Sequence, residues 1–201
     1  MSNDGEPTET PISTETPIYC SRPLENVMPL DRETIESFRR LPEQLRQLAR
    51  RIPADRRTRA PAAGGFSLVE HVCHLRDFEA EGVQLRIGRC VKEREPDLAD
   101  FPGDVVAAER NYVAQDFDEA LQSFEGSRER TLSLLAGLSD EQLERAARFG
   151  GEGRLTLRRL IAMFAEHDQS HRHELDQLAA ELAPGVAWSI QGPVDTDKAR
   201  P

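Results

Sequence analysis

The sequence predicts an all-α protein, a four-helix bundle, and three observations predict it. Apolar residues recur at three- and four-residue intervals through four long stretches. Capping-box signatures stand where two of the helices should begin. No segment shows sustained period-two alternation flanked by hairpin turns. Long amphipathic helices joined by short connectors bury their stripes most simply against one another.

The first helix lies in DRETIESFRRLPEQLRQLARRI, where Ile35, Phe38, Leu41, Leu45 and Leu48 form one stripe. Pro42 interrupts that stripe and is expected to kink or restart the helix. RIPADRRTRAPAAGG then reads as a solvated basic loop, punctuated by Pro and Gly. The second helix opens at Ser67, with Glu70 placed to bond back in a capping box, and should run to about Lys92. A third helical region begins at Asp104 or Asp118 and runs to Leu138. Ser139 and Gln142 form another capping box and open a short helix. GGEGRL is a turn, and it has neither the G-x-G-x-x-G pattern nor the Gly-Lys-Ser/Thr ending of a phosphate loop. The last helix spans Leu157 to Leu182 and stops before Pro184-Gly185.

Residues 1–28 carry a short Thr-, Pro- and Glu-rich tandem, TETPIS followed by TETPIY, and read as a disordered acidic tail. Residues 29–185 form the helical domain, and residues 186–201 a second loose tail. Acidic residues exceed basic ones by ten, which repels phosphate backbones and argues against nucleic-acid binding. No apolar run approaches the roughly 20 residues that cross a bilayer, and the N-terminus lacks the pattern of a secretory signal. Three cysteines, Cys20, Cys73 and Cys90, form no C-x-x-C pair, which fits a reducing, cytoplasmic setting.

All five histidines fall in two clusters, EHVCHLRDFE and EHDQSHRHELDQL. With about 100° between successive residues, His171 lies about 40° from His167 and Glu174 about 20° the other way. Leu160, Met163, Phe164 and Leu178 share that sector, so His167 and His171 face the core, whereas His173 faces solvent. H-x-x-x-H stacks two rings on adjacent turns, where both can reach one ion, and a third imidazole from a facing helix leaves a coordination position open. On the second helix, periodicity accepts His71 or His74 as that third group, with a mild preference for His71. Glu174 suits either of two roles: orienting a ligand histidine or acting as a general base. Glu70 reads as the capping carboxylate, and Cys73 as a packing residue.

FSLVEHVCHLRDFE, followed by LTLRRLIAMFAEHDQSHRHELDQL, resembles the DinB/YfiT-like superfamily of metal-dependent enzymes. The likeness covers about residues 30 to 183 and rests on an aromatic-Ser helix start, a His-Leu pair and a terminal H-x-x-x-H helix. Phe66 stands where a tryptophan is commoner in the family. The resemblance implies a bundle with up-down-down-up connectivity and a metal held by His74, His167 and His171. It thereby selects His74 over His71, which becomes a neighbour of the site. It also implies a divalent ion such as Zn, Ni or Fe, with a low-molecular-weight thiol as cosubstrate, a small-molecule substrate and a homodimer.

Two functions remain open on the sequence. The first is an enzyme, a metal-dependent thiol S-transferase or hydrolase, which a pocket lined by Phe78, Met163 and Phe164 would favour. The second is a non-enzymatic stress-response or ligand-binding bundle whose metal is structural or absent. An open coordination position favours the first, and a fourth protein ligand, Glu174 or His71, the second.

Overall fold

The structure, a computed structural model, describes residues 30–184. Both expected tails, together with Cys20, lie outside the described residues. Four long helical units form a bundle: α1 (Arg32–Arg51), a unit made of α2 (Leu68–Asp77), a π-helical turn (Phe78–Gln84) and α3 (Leu85–Lys92), then α5 (Phe117–Ala136) and α7 (Leu157–Leu182). The short helices α4 (Gly103–Glu109) and α6 (Asp140–Leu143) lie in the connections.

The helix starts are set by local chemistry. Ser67 accepts from the Glu70 amide while Glu70 reaches back to the Ser67 amide, and Ser139 and Gln142 repeat the arrangement at α6. Asp31, Asp116 and Thr156 cap α1, α5 and α7 with single side-chain acceptors. The loop after α1 is largely exposed, as its composition suggests, but two of its arginines turn back to the bundle. Arg57 donates to Ala49 O at 2.7 Å and Arg56 to Leu182 O at 3.0 Å, so two arginines close the carbonyl ends of α1 and α7.

Pro42 does not restart α1, which runs through it unbroken. A proline removes the amide that would bond the carbonyl four residues back, here that of Phe38. Arg128 from α5 supplies the missing donor at 3.2 Å. The same guanidinium, 2% exposed, pairs with Asp168 of α7 at 2.6 Å and with Glu79 of the π turn at 2.8 Å. One buried cation therefore ties all four long units together.

A small three-stranded sheet escaped the sequence reading. β1 (Asp97–Leu98) runs parallel to β2 (Ala146–Phe149), and β2 pairs antiparallel with β3 (Gly153–Thr156) in the register Ala146↔Thr156 and Phe149↔Gly153. GGEGRL is the bend of that hairpin and the start of β3. The strands are too short for alternation to show. Two apolar clusters fill the bundle, one around Leu41, Leu45, Leu68, Val72, Phe124 and Leu175, the other around Phe38, Phe78, Ile87, Leu160 and Phe164. His71 and His74 of α2 and His167 and His171 of α7 lie on the inner faces of these helices.

Candidate metal centre

His74 on α2 and His167 and His171 on α7 converge. Nε2 of His167 is 3.2 Å from Nε2 of His74 and 3.2 Å from Nε2 of His171. The three residues offer ligand atoms that all lie within 4.8 Å of one another. An imidazole nitrogen carries either one proton or one lone pair, so Nε2 of His167 makes at most one well-directed bond to its two neighbours. Nitrogens bound to one divalent ion at about 2.0–2.1 Å, at tetrahedral or octahedral angles, stand roughly 2.8–3.4 Å apart. The observed separations fall in that range, and the donor set fits such an ion.

Burial holds the His74 and His167 rings in the neutral form that binds metal. The pKa of His74 is lowered to about 4 and that of His167 to about 2, first by desolvation and next by the neighbouring histidines. His71 is lowered to about 3 for the same first reason, with His171 next. Nδ1 of His74 and Nδ1 of His167 are buried and have no hydrogen-bond partner. An unpaired buried polar atom costs about 1–3 kcal/mol, which an ion on the opposite nitrogens can offset.

Apolar contacts fix the rings. Phe78 stacks on His167 with centroids 3.9 Å apart and lies nearly parallel to His74 at 6.0 Å. Phe66 packs against His71 and His74 at 5.7 and 5.5 Å. Gly103, the first residue of α4, abuts the His74 ring so closely that a Cβ there would lie 2.6 Å from Cε1.

Glu174 sits on the outer nitrogen of His171, with Oε2 3.0 Å from Nδ1. An ionised carboxylate only accepts, so Nδ1 of His171 donates and its Nε2 is left with the lone pair that faces the other two histidines. The His171 hydrogen bond also holds the Glu174 carboxyl below the usual range. His71 is buried, and its Nδ1 lies 3.2 Å from Nδ1 of His171 and 3.8 Å from Glu174. The alternative between His71 and His74 thus dissolves, because both point inward and meet different nitrogens of the α7 pair. His173 is exposed and stands apart.

A cavity of about 510 Å³ opens onto the site, with His71, His74, His171, Glu174 and Phe66 in its wall. That volume suits a small molecule. Phe78, Met163 and Phe164, whose presence in the wall would have favoured the enzyme reading, do not line it. Met163 and Phe164 lie one turn before His167 on α7, and the cavity opens in the other direction, toward Gln177 and Glu181. Phe78 and Phe164 instead pack edge to face behind the histidines. Glu70 serves only the cap, and Cys73 is buried, its thiol pushed up to about 11 by desolvation. Sequence reading missed Gly103 and the buried acids Glu79 and Asp168. Only Asp168, beside His167, carried a signal, since its phase on α7 turns it inward.

The sequence model of the DinB superfamily matches residues 37–175. No curated protein matches the chain. Among solved structures, the chain is similar to YfiT from Bacillus subtilis, described as a probable metal-dependent hydrolase with an unusual four-helix bundle topology. The two superpose with a TM-score of 0.67 at 18% identity, over 74% of this chain and 85% of YfiT. At that identity the likeness speaks for the fold.

Proposed function

The chain belongs to the DinB superfamily, and on that premise we propose that it is a metal-dependent enzyme, a hydrolase or transferase whose divalent ion is held by His74, His167 and His171. The observation that carries this reading is the convergence of three Nε2 atoms at 3.2 Å contacts beneath an open cavity. A divalent ion held there supplies Lewis acidity, which makes a water or a low-molecular-weight thiol a nucleophile near neutral pH.

The chain's own residues have separable tasks. His74 and His167 stay neutral because burial disfavours their protonation, so they are ready to donate lone pairs. Glu174 accepts a hydrogen bond from Nδ1–H of His171 and thereby fixes its tautomer and ring plane. Its lowered pKa suits this orienting task better than proton abstraction, for which a value near the working pH serves best. Phe78 closes the inner side of the site to water, and the cavity side remains for the substrate. The description of YfiT as a probable metal-dependent hydrolase supports water as the nucleophile.

Reconstituted protein should be assayed against activated esters and amides, with and without an added small thiol. Turnover that needs the ion and disappears in His74→Ala supports the enzyme reading. Product that forms only when thiol is present selects the transferase. Stoichiometric metal with no turnover of any substrate would leave the binding-module reading.

A further inference from the structure

We propose that the substrate of this cavity is an organic cation, an amine carried on an apolar body, and that anionic substrates are rejected. The inference rests on the reading that the three histidines hold a divalent ion at the cavity floor.

The wall is one-signed. Asp104, Glu174 and Glu181 line the cavity, and no lysine or arginine stands among the described residues that do so. Two arginines of the loop that edges it, Arg56 and Arg57, are turned to helix ends instead. Glu181 is fixed by the Ala62 amide, which donates to both its oxygens at 3.2 and 3.1 Å. A backbone amide carries no net charge, so the carboxylate keeps its own. Asp104 follows Gly103, whose backbone touches His74, so a negative charge also stands beside the metal-facing ring. These acids do not make the site. The histidine-floored cavity makes it, with His74 only 6% exposed and its Nδ1 unpartnered, and the acids decide which charge enters.

A divalent ion on three neutral imidazoles adds two positive charges against three carboxylates. An anionic group can therefore meet a favourable charge only at the ion itself. Any second anionic group, farther out, faces Asp104 and Glu181 with no counterion. A cation in the same place is attracted by both. Phe66, Pro61 and Ala63 supply the apolar part of the wall, and an aromatic face also favours a cation. The chain's net charge of −10 biases long-range encounter the same way.

The test separates the tail from the metal anchor. Three hydroxamates on the same alkyl chain, ending in ammonium, methyl or carboxylate, are titrated calorimetrically into zinc-loaded protein at low salt. The hydroxamate group binds the ion in each, so only the far end differs. The ammonium-ended probe should bind at least tenfold more tightly than the carboxylate-ended one. The double variant Asp104→Asn, Glu181→Gln, checked for helix content by circular dichroism, should narrow that ratio to within threefold. Equal binding of all three probes by the wild type, or preference for the carboxylate, would overturn the cation inference while leaving the metal centre standing. If not even the methyl-ended probe binds, the metal reading falls and the inference with it.

Discussion

Gly103 and His74 touch: a Cβ built on Gly103 would lie 2.6 Å from Cε1 of His74 and 2.9 Å from its Nδ1. The first residue of a connecting helix thus presses on one of three rings that converge from α2 and α7, and no other residue type fits there without moving the ring. Gly103→Ala should weaken zinc binding by tenfold or more while changing the urea midpoint little. Competition with a chromogenic chelator measures the first and denaturation the second. Unchanged affinity would mean that the His74 ring has room to move.

Glu174 and His171 provide the second expectation. Replacing a carboxylate that orients a ligand histidine typically costs 10- to 100-fold in metal affinity or activity. Glu174→Gln keeps an acceptor near Nδ1 of His171 but removes the charge, so its loss should lie at the lower end. Glu174→Ala should lie at the upper end. Metal affinity measured for both variants checks the order, and equal effects would contradict an orienting role.

The buried histidines set a pH dependence for the metal-free protein. Their pKa values in the fold, about 4 for His74 and about 3 for His71, lie below the ordinary value of 6.5. Between those limits the unfolded chain binds protons that the folded chain refuses, so stability is present above pH 6.5 and is lost as pH falls toward 4. Each such histidine contributes a slope of about 1.4 kcal/mol per pH unit. Urea midpoints measured from pH 7 to 4 should fall with acid, and zinc should raise them most at the neutral end. A flat profile would show that these rings are not buried in neutral form.

Arg128 and Asp168 form an ion pair in which both side chains are 2% exposed. Removing one partner of such a pair leaves a buried charge and costs about 3–5 kcal/mol. Asp168→Asn should therefore lower thermal stability strongly, although Glu79 remains on the same guanidinium. Calorimetry checks this, and a loss under 1 kcal/mol would show that Glu79 alone balances the arginine.

Much of this molecule was legible in the chain, for reasons that can be named. Ser67 and Glu70 announced α2 because a capping box is a local bargain between two side chains and two amides, independent of the rest of the fold. His167 and His171 showed their inward phase because α7 is regular from Leu157 to Leu182. His71 and His74 defeated periodicity because α2 buries both, and only the facing helix determines which nitrogen each one meets. The strands were hidden by their length of two to four residues. The π turn carries no residue pattern of its own, though its Gly82 lets the Phe78 ring lie so close that a Cβ would meet it at 2.6 Å. The pocket wall was not legible because helical phase gives the direction of a side chain around its axis but not the end at which the bundle opens.

The most direct measurement is metal content by mass spectrometry on tag-free protein reconstituted with zinc or nickel, wild type beside His167→Ala. Nε2 of His167 makes both 3.2 Å contacts of the trio, so its loss removes the shared corner of the site. One divalent ion per wild-type chain, absent from a variant of unchanged helix content, is the expected result. No ion in either protein after reconstitution would contradict the metal centre and leave a helical bundle with four histidines packed in its core.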